Sequence, residues 1–323
     1  MEKITNNYAI YNNDCMELLP KLETESVDLT IYSPPFAGLY QYSSDHRDMS
    51  NNDNHDDFLK NYEYVVKESA RVTKPGRIVA VHCADLLINV TKNHLHDLPS
   101  DIINIHKKYG FYYVNRITIW KEPLKVRMRT MVRSLMHKLI VEDSTECFTA
   151  MPDYVLIFKK RGENKVPVEH KQGLKEYHGS VPLLPEMAKT YGSWHDLNIK
   201  YKDWDDPKTN KLSHLIWQRY ASSVWDDIRI DRTLKFKEAR EEDDEKHVHP
   251  LQLDIIMRLV ELYSNPNEVV LTPFMGVGSE VYGAVYLNRR AIGVELKTSY
   301  FKQAIKNLAD VEKHRKADLG TLF

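Results

Sequence analysis

The stretch LTPFMGVGSEVYGAVYLNRRAIGVE, residues Leu271–Glu295, decides the fold. It predicts a strand, a tight glycine turn, a helix and a second strand that ends on an acid. Gly276 and Gly278 lack Cβ atoms where a ligand would lie against the main chain, and Ser279 is a candidate N-cap. Glu295 follows about 20 residues after the glycines, where a carboxylate can accept from both ribose hydroxyls. The turn is therefore expected to hold an adenosine-containing cofactor.

The residues around the glycines indicate which cofactor this is. A dinucleotide fingerprint needs a third glycine where this chain has Val281. A GxG turn alone is also typical of a strand–helix turn without a ligand. However, Thr272–Ser279 resembles the S-adenosylmethionine turn of amino-methyltransferases, commonly written D/S-P-F-x-G-x-G-S/T. Thr272 stands where an aspartate is commoner, which removes a carboxylate from that place.

Bulk composition is ordinary for a soluble protein. The chain has 323 residues, of which 42% are hydrophobic and 28% charged, with a formal net charge of −1. Its 3 cysteines form no disulfide framework and no CxxC pair. No apolar run is long enough for a signal core or a membrane span. We expect a cytoplasmic protein of a bacterial or phage-infected cell, with no contact to a membrane.

Strand and helix patterns alternate on both sides of the glycine turn. Further strands are predicted at Val27–Tyr32, Arg77–His82, Phe111–Trp120 and Asp153–Lys159, and helices at Asp56–Thr73, Asp101–Gly110 and Pro250–Ser264. Lys74-Pro-Gly76 predicts a turn. This order favours an α/β fold with a doubly wound, mostly parallel sheet. The alternation is lost over 160–225, which we interpret as an inserted recognition region between halves 1–159 and 226–323.

The tetrapeptide Ser33-Pro34-Pro35-Phe36 ends a strand that is apolar enough to be buried. Alone it is a common turn, but ligands in open α/β sheets lie outside the carboxyl ends of strands. The polar segment Ala37–His55 that follows is long for a loop in a compact domain, which suggests a functional role.

The chemistry of an exocyclic amino group suits this tetrapeptide. Such a nitrogen is a poor nucleophile because its lone pair is delocalised into the base. Hydrogen-bond acceptors such as Ser33 Oγ and the Pro34 carbonyl would localise that pair, and the prolines make the acceptors stiff. Phe36 would stack on a base flipped out of the duplex.

Taken together, the chain resembles the permuted, beta-type DNA amino-methyltransferases that methylate N4 of cytosine or N6 of adenine. Phage-type members share the long loop after SPPF. The motifs that carry the resemblance are Asn13-Asp14-Cys15, Ser33–Phe36, Lys74-Pro-Gly76, Val224-Trp-Asp226, Lys246–Gln252, Thr272–Ser279 and Glu295. The resemblance implies a Rossmann-like methyltransferase fold, S-adenosylmethionine as cofactor and no metal. It implies a cofactor site made by Asp14, Cys15, His249, Pro250, Thr272, Phe274, Gly276, Gly278, Ser279 and Glu295, with catalysis at Ser33, Pro34, Pro35 and Phe36.

A basic run between Arg116 and Lys138 is the candidate surface for double-stranded DNA. Seven Lys and Arg residues stand there against one acid, Glu122, with Trp120 and methionines between them. The residues expected to touch phosphates are Lys125, Arg127, Arg129 and Arg133. A solvated helix face would show the same composition.

Three other functions remain open from the residues. His247-Val-His249 could be a metal pair, although no third ligand has a fixed spacing. Val281 argues against a nicotinamide oxidoreductase. An inactive DNA-binding module would be expected to lose the tetrapeptide or the glycines, and this chain keeps both.

The most specific of these predictions concerns which base is methylated. In the family, Ser at the first tetrapeptide position goes more often with N4 of cytosine, and Asp or Asn with N6 of adenine. Ser33 therefore favours cytosine, with adenine as the alternative. The sequence leaves open a homodimer, a partner restriction nuclease and the recognition sequence.

Overall fold

A computed structural model of the chain describes residues 1–35, 49, 55–89, 94–130, 132–240 and 250–320. The strands are β1 (Glu2–Ile4), β2 (Tyr8–Asn12), β3 (Val27–Tyr32), β4 (Thr73–Cys83), β5 (Leu86–Asn89), β6 (His94–His96), β7 (Phe111–Ile119), β8 (Asp153–Lys160), β9 (Val224–Trp225), β10 (Val269–Thr272) and β11 (Arg290–Glu295). The helices are α1 (Cys15–Leu18), α2 (His55–Val72), α3 (Leu98–Lys108), α4 (Pro123–Thr130), α5 (His137–Glu142), α6 (Pro185–Tyr191), α7 (Trp194–Tyr201), α8 (Lys211–Tyr220), α9 (Leu253–Tyr263), α10 (Ser279–Tyr286) and α11 (Thr298–Gly320).

Nine of the described strands form one sheet in the order β1-β2-β11-β10-β3-β4-β8-β7-β9. The strands from β2 to β4 in this order run parallel, whereas β8 is antiparallel to both of its neighbours. The predicted doubly wound, mostly parallel sheet is therefore confirmed. From β10 the chain goes on to β11 on one side, and from β3 it goes on to β4 on the other. This reversal makes the β10–β3 boundary the topological switch point, where open α/β sheets bind ligands.

Both faces of the sheet are covered by helices, as its buried strands require. The alternation is clearest in β8, where Val155 and Ile157 pack with the helices α9, α10 and α11, and Leu156 and Phe158 pack with α2 and α3. All six residues of β3 are buried. The sheet is thus a rigid platform, and its edges are where side chains can meet a ligand.

Asp28 holds the two switch-point strands together at the end away from the glycine turn. Its Oδ2 accepts from the backbone N–H of Val269 at 2.9 Å, and its Oδ1 accepts from Lys74 at 2.6 Å and Arg77 at 3.1 Å. Because Asp28 is 2% exposed, these charge-assisted bonds are made in a medium that screens them little. This network fixes β3 against β10.

Two local predictions need correction. Lys74-Pro-Gly76 is not a turn before a strand but lies inside β4, where the pairing with β3 shifts between Val27 and Leu29 and Gly76 adopts φ 73°. The glycine absorbs the left-handed conformation that the irregularity requires. Helix α3 begins at Leu98 rather than at Asp101, because the Asp97 side chain accepts from the Ser100 N–H and caps the first turn.

The segment 160–225 contains three helices, α6, α7 and α8, with an apolar cluster of their own around Leu197, Leu212 and Ile216. Its last residues form β9, which pairs with β7 in the main sheet. Arg258 of α9 is fully buried where this segment meets the sheet domain. Its guanidinium lies 2.9 Å from the carboxylate of Asp227 and donates to the His178 carbonyl at 2.7 Å. The helical segment is therefore attached to the sheet domain by the β9–β7 pairing and by the bond from buried Arg258 to the His178 carbonyl.

Candidate active site

One edge of the sheet collects the polar residues that the sequence singled out. Parallel strands end at the same edge, and antiparallel β8 begins there. In sheet order, the residues at this edge are Asp14 after β2, Glu295 of β11, Thr272 of β10, Ser33 after β3, His82 of β4, Asp153 of β8 and Lys121 after β7. The switch point divides them. The predicted cofactor residues lie on one side and the predicted catalytic residues begin on the other.

The glycine turn after β10 is built around the carboxylate of Glu295. Its Oε2 accepts from the Gly276 N–H at 2.8 Å, and its Oε1 accepts from the Lys297 N–H at 2.8 Å. Gly276 adopts φ 56°, and a Cβ added there would meet no protein atom within 4 Å. The missing side chain thus leaves open space beside a fixed carboxylate, as a bound adenosine ribose would need.

Ser279 is not the N-cap that the sequence predicted, and Gly278 lies against helix α11. A Cβ on Gly278 would lie 3.2 Å from the Cβ of Ala304, so the missing side chain lets α11 approach the turn. Gly278, at φ 93°, is itself the N-cap residue of α10, and Ser279 is the first residue of the helix. The Ser279 and Thr272 hydroxyls are buried with no hydrogen-bond partner among the described residues. Because both hydroxyls are buried, these two residues can contact a ligand only through their main-chain atoms.

Acidic groups dominate the cofactor side. Asp14 is 9% exposed and caps α1 by accepting from the Met16 N–H at 2.8 Å. Burial and the neighbouring Asp14 raise the pKa of the Cys15 thiol, which keeps it neutral. Glu280, which sequence reasoning missed, is 4% exposed in the first turn of α10. Burial, with a smaller effect of Glu295, raises its pKa to about 8. At neutral pH the Glu280 carboxyl is therefore mostly protonated, and a cation bound beside it would favour its ionised form.

The tetrapeptide leaves the sheet beside this turn. Thr30 of β3 pairs with Leu271 of β10, so the segments that follow the two strands run side by side. The ring of Phe274 lies 5.7 Å from the ring of Tyr32, across the switch point. Pro34 is buried, and Ser33 and Pro35 are half-buried. Phe36 and most of the loop at 37–55 lie outside the described residues.

A chain of polar contacts runs from Ser33 into the sheet. Ser33 Oγ lies 3.3 Å from His82 Nδ1, and His82 Nε2 lies 3.1 Å from Asp153 Oδ2, off the line of a straight hydrogen bond. Asp153 Oδ1 accepts from Lys121 at 2.5 Å. Burial alone would raise the pKa of Asp153, but Lys121 and His82 outweigh it and hold that pKa well below its usual range. Sequence reasoning missed all three residues, although His82 ends a predicted strand, Asp153 begins one and Lys121 directly follows one.

The basic run lies directly beyond this chain of contacts. Lys125 and Arg127 belong to α4, which Val126 anchors in the protein, and Arg133 lies in the turn after it. Lys125 and Arg133 are exposed and Arg127 is half-buried, while the side chain of Arg129 lies outside the described residues. On the same helix Leu124 is 67% exposed and Met128 is 74% exposed. Helix α4 therefore presents a mixed basic and apolar surface.

Neither a metal cluster nor a membrane helix is found in the described part of the chain. Within it, no group of three or more His, Cys, Asp or Glu side chains could hold a metal ion. His247 and His249 lie outside it, and Pro250 is half-buried. No described helix is long and apolar enough to cross a membrane.

The family model of the DNA methylases that modify N6 or N4 amino groups matches residues 27–306. The chain belongs to this family. The match spans the tetrapeptide, the segment 160–225 and the glycine turn, so it covers both sides of the edge described above.

Similar proteins support the membership. The methylase is 25% identical to the type II methyltransferase M.BglII of Bacillus subtilis over 304 residues, 93% of this chain and 68% of that protein. Among solved structures, a DNA modification methylase of Thermus thermophilus in complex with S-adenosyl-L-methionine is 22% identical, with a TM-score of 0.60, covering 94% of this chain and 93% of the other. The cytosine-N4-specific PvuII DNA methyltransferase is 14% identical, with a TM-score of 0.56, covering 95% and 92%. These two likenesses establish the fold.

Family membership confirms the enzyme class predicted from the sequence, an S-adenosylmethionine-dependent DNA amino-methyltransferase that acts on DNA. The observed site fits that cofactor on two grounds. Open space lies at Gly276, and the carboxylate of Glu295 is fixed beside it. The predicted cofactor residues and the predicted catalytic residues thus lie at the ends of adjacent strands.

Proposed function

We propose that this methylase transfers a methyl group from S-adenosylmethionine to the exocyclic amino group of a base flipped out of double-stranded DNA, with N4 of cytosine as the target. The observation that carries the proposal is the position of Ser33. Its hydroxyl follows β3 at the switch point, next to the strand that leads into the glycine turn. A hydroxyl at this place is a neutral acceptor, which suits the more reactive amino group of cytosine.

The cofactor is proposed to lie along the glycine turn. Glu295 would accept from its ribose, Asp14 from its adenine amino group, and Gly276 would let it approach the main chain. The main chain at Thr272, Gly278 and Ser279 and the side chain of Phe274 would line the methionine part, with Cys15, His249 and Pro250 closing the site. When bound, S-adenosylmethionine supplies a methyl group on a positively charged sulfur.

The target amino group is proposed to lie between Ser33 and Pro34. Ser33 Oγ and the Pro34 carbonyl would each accept one N–H bond and so localise the nitrogen lone pair. Preorganised acceptors of this kind are worth about 10²–10³ in rate. Pro35 keeps the segment extended, and Phe36 would stack on the extruded base.

DNA is proposed to lie across α4 and the turn after it. Lys125, Arg127, Arg129 and Arg133 would contact phosphates, which carry affinity but no sequence information. The segment 160–225 would read the sequence. Its attachment through the β9–β7 pairing and the Arg258–His178 bond supports this role, because a reading surface must keep a fixed position relative to the flipped base. In this assignment 1–159 is the catalytic half and 226–323 the cofactor half.

Nucleoside analysis tests the target base. Duplex DNA treated with the purified protein and labelled S-adenosylmethionine is digested and separated by liquid chromatography and mass spectrometry. We expect label in N4-methyldeoxycytidine, and long-read sequencing of the same DNA locates the site. Label in N6-methyldeoxyadenosine would replace cytosine by adenine and leave the rest of the proposal intact. DNA binding without label in either nucleoside would favour the inactive DNA-binding module.

A further inference from the structure

The Ser33 hydroxyl lies next to a histidine, His82, that has no role in the function proposed above. Ser33 Oγ lies 3.3 Å from His82 Nδ1, and the other ring nitrogen faces the carboxylate of Asp153 at 3.1 Å. Asp153 is 8% exposed and is held ionised by Lys121 on its second oxygen. An ionised carboxylate beside Nε2 favours the tautomer with its proton on Nε2. Nδ1 then has a free lone pair directed at the Ser33 hydroxyl.

We propose that His82, oriented by Asp153 and Lys121, takes up the proton that the target amino group gives up, through the hydroxyl of Ser33. The inference rests on the proposed function, since it assumes the amino group at Ser33. His82 is a positioning residue in this scheme, because it acts through Ser33 and does not touch the base.

Methylation of the amino group releases a proton, which a nearby base such as His82 can accept. As the amino nitrogen bonds to the methyl carbon, the carbon–sulfur bond breaks and its electron pair stays on sulfur. The nitrogen is left with a positive charge and one proton too many. That proton passes to Ser33 Oγ while the hydroxyl's own proton passes to His82 Nδ1. The imidazolium is stabilised by Asp153 and returns its proton to water, to which its 11% exposed side chain has access.

The same contacts act before the transfer. A hydroxyl that donates its proton to His82 Nδ1 must turn its lone pairs away from the ring. Ser33 is thus held as an acceptor for the amino group, which is the role that the proposed function gives it. A protonated His82 would donate to Ser33 and compete for those lone pairs.

Several elements bring charged and titratable groups to His82. They are Asp153 and Tyr154 of β8, Lys121 after β7, Arg116 of β7 stacked on Tyr154, and Cys83 and Asp85 on its own strand and just beyond. Asp153 lies beside the ring and Lys121 donates to the second oxygen of Asp153, so these two residues orient the ring that receives the proton.

Single-turnover methylation of duplex DNA, measured between about pH 5 and about pH 8 where histidine titrates, is the experiment. In the wild-type protein we expect the rate to rise with pH through one ionisation and then level off. His82→Asn keeps an acceptor but not a base, and should lower the plateau by about 10²-fold or more and abolish the rise. Asp153→Asn and Lys121→Met disturb the orientation of the ring and should each lower the rate, while cofactor affinity stays near wild type. Cofactor affinity measured by calorimetry and the melting temperature establish that each variant is folded.

Two comparisons separate this role from a structural one. Adding His82→Asn to Ser33→Ala should cost little more than Ser33→Ala alone, since both changes break the same path. The matched control is His96→Asn, which disrupts a second histidine–aspartate pair, His96 Nε2 with Asp101 Oδ2 at 2.6 Å, on β6 of the separate two-stranded sheet. It should leave the rate and its pH dependence unchanged.

The outcomes are distinguishable from failure of the proposed function. Methylation by His82→Asn with a wild-type rate and pH profile would overturn the inference and leave the proposed function intact. Fully additive losses in the double variant would also overturn it. A wild-type protein that transfers no methyl group to any DNA would overturn the proposed function, and this inference with it.

Discussion

The chain reaches the carboxyl edge of the sheet twice with nearly the same residue types. β10 ends in Thr272 and continues as Pro273-Phe274, and the neighbouring β3 is followed by Ser33-Pro34-Pro35. The hydroxyl of Thr272 is sealed inside the protein with no partner in its described surroundings, whereas that of Ser33 is half-buried and lies against His82. A hydroxyl before a proline is therefore structural at one turn and available for chemistry at the other. The neighbours on adjacent strands make the difference.

The largest effect is expected at the reactive hydroxyl. Ser33→Ala removes a preorganised acceptor from the target amino group and should lower the single-turnover rate by about 10²–10³. Cofactor affinity measured by calorimetry should stay near wild type, because the glycine turn is not touched. If Ser33→Ala methylates DNA at the wild-type rate, the acceptor for the amino group is another residue. The hydroxyls of Ser33 and Thr272 would then not differ in function.

The two glycines of the turn give the next contrast. Gly276→Ala places a Cβ in the open space and should weaken S-adenosylmethionine binding roughly tenfold or more, the equivalent of about 1.4 kcal/mol. Gly278→Ala places its Cβ against Ala304 and should chiefly lower the melting temperature. Each position also has a positive φ, which costs an L-residue about 1–2 kcal/mol. Cofactor affinity is measured by calorimetry and the melting temperature by thermal unfolding. Weaker cofactor binding chiefly in Gly278→Ala, with a lower melting temperature chiefly in Gly276→Ala, would contradict this prediction.

A smaller effect is expected on the DNA side. Removing the exposed Lys125 should weaken binding to all sequences and reduce the slope of log affinity against log salt by about one unit. Lys3→Ala, an exposed lysine on the edge strand β1 far across the sheet, is the matched control and should leave the slope unchanged. Equal slopes for Lys125→Ala and the wild type would make α4 a solvated helix face.

The smallest effect is expected at the sealed hydroxyl. Thr272→Val keeps the shape and removes a buried hydroxyl that makes no hydrogen bond to the described residues. An unsatisfied group of this kind costs about 1–3 kcal/mol, so thermal unfolding should show a slightly more stable protein. Its methylation rate and cofactor affinity should match the wild type. A loss comparable to that of Ser33→Ala would mean that the two turns share their chemistry.

The fold was predictable where the pattern is local. The strand–glycine–helix–strand order of 271–295 and the buried run of β3 follow from residues close in sequence. The contacts of Ser33 with His82, and of His82 with Asp153, were not predictable in this way. They join residues from three separate strands, and each residue alone is an ordinary strand end. For the same reason the role of Gly278 depends on Ala304, a residue of a helix that follows later.

The helices of 160–225 were missed for a different reason. Apolar periodicity is weak in the short helices α6 and α7, whereas α8 shows it at Leu212, Leu215, Ile216 and Tyr220. Capping signals were also present. Ser193 and Asp196 form a reciprocal capping box at α7, and Asn210 accepts from the Ser213 N–H at the start of α8. These pairs mark helix starts independently of periodicity.

The order of the strands has a consequence for the synthesis of the protein. β3 is completed early, but its neighbour β10 follows only much later, since the Asp28–Val269 hydrogen bond spans 241 residues of sequence. At about 5–20 residues per second, the nascent chain waits on the order of tens of seconds with one apolar edge of β3 unpaired. During that interval the growing polypeptide has neither a cofactor turn nor a complete switch point. Catalytic competence therefore arises in one late step, and the unpaired edge is where the unfinished chain is most exposed to aggregation or to capture by a chaperone.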